Sequence, residues 1–243
     1  CGSLVPTTVP QSILDQLTDV AMPRLPEQPQ AEESWKAGEF HIPVRRFRAL
    51  VVGSGAAGLR AAVELKRRGV EVAVITQSAF GGTSACSGSD KQTLHTANSA
   101  DRGDDFRALA DALGAGGAMD EDTAYVEAVG SARALASLQY LGLPVPEDRF
   151  GGVLRYQTDH DEVGRATSCG PRTSRLMVQV LALEAIRLGV PVFNQTTAVR
   201  ILVDGRRARG VLAMHPQRRQ PENPLGFAAF LADELVLAAG GPG

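Results

Sequence analysis

An α/β fold built around a parallel sheet is what this sequence predicts, and three observations carry the prediction. The apolar run Ala49-Leu50-Val51-Val52 enters the turn Gly53-Ser54-Gly55-Ala56-Ala57-Gly58, a helical pattern leaves it, and a second apolar run, Val70 to Thr76, follows at once. Strand, glycine turn, helix and strand thus fall within about 30 residues, the length of one βαβ unit. With 243 residues, 44% apolar and 21% charged, the chain is long enough for one large domain or two modest ones.

Taken in order, residues 1–47 carry six prolines and one weak helical stretch, Ser12 to Val20, and read as an extended arm or linker. Residues 48–99 hold the βαβ unit and then a loop of small residues. Its helix, Ala56 to Arg68, places Leu59, Ala62, Val63 and Leu65 on one side, pairs Glu64 with Arg68, and stops at Gly69. Residues 100–165 read as a helical insert, with helices from Asp105 to Leu113 and from Asp120, its N-cap, to Leu141 before Gly142. From Pro144 to Gly170 the chain is polar and turn-rich. Residues 166–243 return to the α/β pattern. A helix from Thr173 to Leu188 turns Leu176, Met177, Val180, Leu181 and Ile186 inward. Strands follow at Val190–Gln195, Ala198–Val203, Gly210–Met214 and Glu234–Ala238, with Asp204-Gly205 as a hairpin turn.

Charge and apolar content narrow the function. A net charge of −2 offers no basic surface for nucleic acid. No apolar run reaches the roughly 20 residues of a membrane span, since Leu225 to Ala239 is broken by Asp233 and Glu234. The expectation is a cytoplasmic protein, with peripheral attachment to a membrane left open. Cys1, Cys86 and Cys169 lack both CxxC spacing and the density of a disulfide scaffold. Cys1 opens the chain as Cys-Gly-Ser, which reads as clipping rather than lipidation.

The glycine turn carries the chemistry. Gly53 lets the strand turn sharply, Gly55 lets backbone approach phosphates, and Gly58 lets the helix pack against the strand. A pyrophosphate then sits on backbone donors at the helix start, contributed by Ser54, Ala56 and Ala57 as well as the glycines. Thr76, Gln77 and Ser78 close the second strand. Gln77, 19 positions beyond Gly58, stands where such folds offer an acidic residue to the ribose. Its carbonyl accepts the same hydrogen bond without the charge, so the contact is weaker and NAD and FAD stay equally open. The loop from Phe80 to Thr93 is dense in small residues, and Gly82, Thr83, Ser84, Gly88 and Ser89 are its candidates for lining a cofactor.

Other clusters are poorer. Asp159-His160-Asp161-Glu162 reads as a solvated turn, with no metal site expected, because adjacent residues do not converge as ligands. Ser84, Ser87 and Ser89 lack a His/Asp partner set for nucleophilic catalysis. Lys91, Arg165, Arg172 and Arg175 can supply positive charge to a cofactor or a carboxylate, although for each a surface or structural ion pair is the leading reading. Arg172 is the best catalytic candidate and Lys91 the next, although a salt bridge from Arg172 to Asp159 or Glu162 explains it equally.

These pieces resemble the flavoprotein subunits of the succinate dehydrogenase and fumarate reductase family, which includes L-aspartate oxidase. The resemblance covers residues 48 to 243. It rests on Val51 to Gly58, Gly82-Thr83-Ser84, Leu141-Gly142-Leu143-Pro144, the run Arg165 to Arg175, and Ala238-Ala239-Gly240-Gly241. It implies a Rossmann-like (GR2-type) FAD-binding domain with a partial α+β capping-domain insert, and FAD with its diphosphate on the glycine turn. It further implies Thr197 near the adenine, and Ala239, Gly240 and Gly241 returning to the diphosphate. Gly82 stands where covalent members place a flavin-linked histidine, which implies noncovalent FAD. The family's substrate-binding histidine and proton-donating arginine lie beyond Gly243, so a second subunit or a C-terminal half is expected to complete the site. The implied activity is hydride transfer between flavin N5 and a carboxylate-bearing alkene or alkane. The alternatives are a noncatalytic nucleotide-binding subunit and an NAD-dependent dehydrogenase.

Overall fold

A computed structural model describes residues 20–31, 33–87, 92–98, 103–159 and 161–241. The expected helix at Ser12 to Val20 falls almost wholly outside them, as do Gly88, Ser89, Lys91 and His160.

The central sheet has the order β7-β3-β2-β10-β9-β8, and its spine is β2 (Phe40–Val52). Two strands flank that spine in parallel: β3 (Val72–Ile75), from Ala49↔Val72 to Val52↔Ile75, and β10 (Phe227–Leu237), from Ala229↔Val44 to Leu237↔Val52. The short β7 (Val192–Phe193) adds parallel to β3, while β8 (Thr197–Asp204) and β9 (Arg207–Met214) extend the other edge antiparallel. Both faces of the spine are covered, which is why Ala49–Val52 and Val72–Ile75 are apolar without alternation.

On one face lie α1 (Ala56–Arg67) and α5 (Thr173–Arg187), burying Leu59, Ala62, Val63, Val178, Leu181 and Ala185 against Val51, Val72 and Val74. The stripe on α5 is rotated from the expected one. Val178, Ala182 and Ala185 are buried, while Leu176 and Met177 are only partly covered, because α5 packs on both the sheet and α1. The opposite face buries Leu50, Ala73, Ile75 and Val211 around Phe193 and Phe230, whose rings meet edge to face at 4.9 Å.

The expected arm does not extend to residue 47. β1 (Glu33–Ala37) turns through Gly38 and pairs antiparallel with the start of β2, and Val44 and Arg45 are already buried. The expected strand Glu234–Ala238 is likewise only the end of β10, whose first half pairs with β9 and with residues 44–47.

Inserted between β3 and α5 are α2 (Thr83–Cys86), β4 (Leu94–His95), α3 (Phe106–Gly114), α4 (Glu121–Tyr140), β5 (Tyr156–Thr158) and β6 (Asp161–Thr167). Asp105 and Asp120 cap α3 and α4, each accepting backbone N–H bonds through its side chain. Strands β4, β6 and β5 form a small antiparallel sheet, so the polar stretch before Gly170 is not merely turns. Because β6 runs to Thr167, the expected boundary at 165/166 falls inside a strand.

This small sheet is tied down by buried charge. Arg165 donates from Nε to Asp104 (2.9 Å), from Nη1 to Asp161 (2.8 Å) and from Nη2 to Gly103 O, and Arg155 donates to Asp104 and to Thr96 O. One sequence expectation is corrected here, for Asp161 is buried rather than solvated, while Arg165 takes the structural ion-pair role expected of it. Among the described residues no helix is long and apolar enough to cross a membrane.

A second charge cluster joins α1 to α5. Glu184 accepts from Arg187 (2.6 Å) and from Arg67 (2.9 Å). Those hydrogen bonds, Arg187 first, hold its carboxyl down from 4.5 to about 2. The stabilisation is therefore present above 4.5 and is lost as pH falls through about 2. Arg187 is largely exposed, which reduces a nominal 3 kcal/mol to about 1–2 kcal/mol. Glu184→Gln is expected to lower unfolding free energy by about 1–2 kcal/mol at neutral pH, with the deficit shrinking as pH drops from 4.5 toward 2. Denaturant titration at each pH checks this, and a deficit constant over that interval would refute it.

Candidate functional site

At the carboxyl ends of β2 and β3, where open parallel sheets bind their ligands, lies a cavity of about 760 Å³. Its floor is the glycine turn. Gly53 has φ 106° and donates to Ile75 O, and a Cβ placed on it would stand 2.2 Å from Ala238 O. A Cβ on Gly58 would stand 2.0 Å from Gly53 O. These two glycines let three backbone segments, the end of β2, the start of α1 and the end of β10, share a space that side chains would fill. Gly55 differs, since its Cβ position meets only Ser84 Oγ at 3.3 Å. That freedom opens toward the cavity, which Gly55, Ala56 and Ala57 line.

Helix α1 begins with no capping side chain and no acidic residue in its first turn. The amides that open any helix lack partners within it, and here no side chain supplies one. With the positive end of the helix dipole behind them, they form a receptor for a phosphate. None of the residues that line the cavity is acidic or basic. Among the described residues an anion there is met by backbone dipoles and neutral hydroxyl and amide groups.

Ser54 and Thr76 line the cavity but spend their hydroxyls within the protein. Both are buried, and their hydroxyls face each other at 3.0 Å, with Ser54 Oγ also 2.9 Å from Ala79 O and Thr76 Oγ1 3.2 Å from Ser78 O. They fasten the loop after β3 to the glycine turn, and what they show the cavity is mostly backbone. Gln77 and Ser78 stand exposed at the rim. Gly82 caps the short α2 and receives the amides of Ala85 and Cys86, with Thr83 and Ser84 on the cavity wall. Arg175 donates to Ala85 O at 2.9 Å, so it supports α2 from behind.

The opposite wall is Thr197, and the end of β10 contributes Ala239 and Gly240. The structure thus gathers Gly53 to Ala57, Thr76 to Ser78, Gly82 to Ser84, Thr197, Ala239 and Gly240 around one space. Gly58 and Gly241 are not on its lining, and neither are Arg165, Arg172 and Arg175. Arg172 sits at the N-cap of α5.

Sequence reasoning missed Thr196, Ala198, Gly81 and Ala238. Thr196 is placed by a tertiary bond, its amide donating to Thr76 O at 2.8 Å. Asn194 supports the same corner, accepting the amides of Ala79 and Gln195, the latter at φ 54°. An Asn followed by a residue in the left-handed region is a turn signal, which the extended reading of Val190–Gln195 passed over.

Gly58→Ala is expected to destabilise the fold by about 1–3 kcal/mol through overpacking and to lower the flavin-to-protein ratio that survives gel filtration. Full retention of flavin in that variant would contradict the close-packing role assigned to Gly58.

Comparison with known proteins agrees with this geometry. Residues 48–243 match the family model of the FAD binding domain. The chain is 28% identical over 195 residues to the 8-methylmenaquinol:fumarate reductase flavoprotein subunit of Wolinella succinogenes, covering 79% of this chain and 31% of that protein. It is 25% identical over 224 residues to the succinate dehydrogenase flavoprotein subunit of Rickettsia bellii, covering 84% and 35%. The chain therefore spans about a third of the length of these relatives. Among solved structures, Mycobacterium smegmatis Sdh1 in complex with UQ1 superposes with a TM-score of 0.70 at 21% identity, over 82% of this chain and 34% of that one. A 3-ketosteroid dehydrogenase from Rhodococcus jostii RHA1 gives 0.59 at 19% identity, over 87% and 48%. These two similarities speak to the fold alone. From the glycine turn, the neutral backbone cradle and the match over residues 48–243, the chain belongs to the FAD binding domain family, and FAD is its cofactor.

Proposed function

We propose that this chain is the flavin-holding part of an FAD-dependent oxidoreductase of the succinate dehydrogenase and fumarate reductase type, carrying its FAD noncovalently. The observation that carries the reading is the uncapped start of α1 beneath a cavity with no charged side chain. In this reading the amides of Gly55 to Ala57 hold the diphosphate, Gly58 keeps the helix close behind them, and Gln77 accepts from the adenosine ribose. Thr197 borders the adenine, Gly82 to Ser84 lie along the flavin ring, and Ala239 and Gly240 close the diphosphate side. Noncovalent attachment is supported by Gly82, which offers no nucleophile where covalent relatives place a histidine.

When bound, the flavin supplies hydride exchange with a carboxylate-bearing alkene or alkane. The chain's own share is to orient the flavin and exclude water along the small-residue wall. Among the described residues the lining holds no acidic, basic or histidine side chain to move a proton or pair ionically with a carboxylate. Those tasks fall to groups outside the third of the relatives' length that this chain spans, on the same polypeptide or on a partner. The relatives' own names describe flavoprotein subunits, which supports a partner chain. The nicotinamide alternative yields to the FAD binding domain match.

Stopped-flow absorbance of the full assembly tests the activity. Reduced flavin reoxidised by fumarate, or oxidised flavin bleached by succinate, supports the proposal, and a flavin that responds to neither favours the noncatalytic reading. Gln77→Glu tests the ribose assignment separately, since a charge-assisted hydrogen bond is about twice as strong as a neutral one. FAD is expected to bind several-fold tighter in that variant by fluorescence-quenching titration, and unchanged or weaker binding would remove Gln77 from the ribose.

A further inference from the structure

A second cavity, of about 720 Å³, opens where the β1–β2 hairpin and residues 27–31 meet the loop between β9 and β10. Its character differs from the first, for Arg45, Arg218, His41 and His215 line it together with Phe193. Arg45 is only 9% exposed. Its guanidinium lies over the Phe193 and Phe230 rings, at 5.1 and 5.7 Å from their centroids, and donates from Nε to Pro29 O at 3.1 Å. Among the described residues neither of its terminal nitrogens has a hydrogen-bond partner and no carboxylate pairs with it. Glu27 and Glu222 also line the cavity, yet neither forms an ion pair with Arg45 or Arg218.

With its stem buried on two ring faces and its terminal nitrogens turned to the cavity without a carboxylate, this guanidinium favours a negative partner there, where partial withdrawal from water strengthens a charge-assisted hydrogen bond. His215 has the complementary deficit. It is 7% exposed, and its Nδ1 is buried with no hydrogen-bond partner. Burial, with Arg218 and Arg45 as positive neighbours, pushes its pKa below the ordinary value. The field that disfavours a further proton here attracts an anion. Arg218, itself exposed and bonded to Gln28 Oε1 at 2.8 Å, extends that field to the mouth.

We infer that this cavity is a binding site for a small molecule bearing an oxyanion, a carboxylate or phosphate, whose oxygens pair with Arg45 and Arg218 while His215 completes their hydrogen bonding. The site is separate from the FAD cradle. Arg45 and residues 27–31 precede the family match, which begins at residue 48, and of the residues named here only Thr196 borders both cavities. Its volume suits a metabolite rather than a bare ion. The occupant would sit beside the strand corner at Thr196 that walls the nucleotide cavity.

Isothermal titration calorimetry of the FAD-loaded protein with sodium phosphate and, separately, with sodium acetate tests this. Saturable binding of either anion, weakened about tenfold or more in Arg45→Gln and in Arg218→Gln at unchanged flavin content, is the expected result, since a hydrogen bond to a charged group is worth about that factor. Phosphate binding alone identifies a phosphorylated ligand, and acetate binding a carboxylate. Absence of saturable heat with both anions, or equal affinity in the variants, overturns the inference. Should Arg45→Gln fail to fold, the exposed Arg218 makes its variant sufficient to decide.

Discussion

The whole arrangement depends on one close approach of backbone to backbone. The end of β2, the start of α1 and the end of β10 come so near that Cβ positions on Gly53 and Gly58 would fall 2.2 and 2.0 Å from carbonyl oxygens. Only residues without side chains satisfy that constraint. Once satisfied, it fixes three things together: the register of β10 on β2, the seating of α1 on the sheet, and the direction in which the helix presents its unpaired amides. Moving any of these segments by a van der Waals radius would open the floor of the cavity.

Charge is distributed around this constraint in a consistent way. Among the described residues the cavity at the glycine turn is lined by no ionisable side chain, so the helix start and the peptide dipoles weigh most there. Buried charge is placed elsewhere and is paired where its task is structural. Arg165, Asp104, Asp161 and Arg155 hold the small sheet together, and Glu184 joins α1 to α5 through two arginines. Arg45 departs from the pattern, a buried cation whose structural neighbours are aromatic rings and a carbonyl. That departure is what singles out the second cavity.

Much of the candidate site was legible beforehand because a glycine turn between a strand and a helix is a local signal. Gly53, Gly55, Gly82 to Ser84 and the Ala239-Gly240 return could be read without knowing what lies across from them. Ser54 and Thr76 were placed at the cavity, where both lie, but sequence does not say which way a hydroxyl turns, and theirs turn toward each other and the loop beneath. Asp161 looked solvated in a run of charged residues, and the fold buried it against an arginine four positions away. Residues 33–47 looked like linker, and 227–233 were not read as strand, for one shared reason: each is a strand chiefly because the other, or a hairpin neighbour, supplies its hydrogen bonds.

By itself the sequence determined the class of fold, the place of the glycine turn, the principal helices with their caps, and the family, since all of these rest on spacing within a few turns of chain. Tertiary structure alone decided how far β2 and β10 extend, which charges are buried, and that Thr196 joins Gln77 at one cavity while Arg45 meets His215 at another. The physical reason is range. Periodicity, capping and backbone freedom act between near neighbours, whereas strand pairing, desolvation and the convergence of distant side chains exist only after the chain has closed on itself.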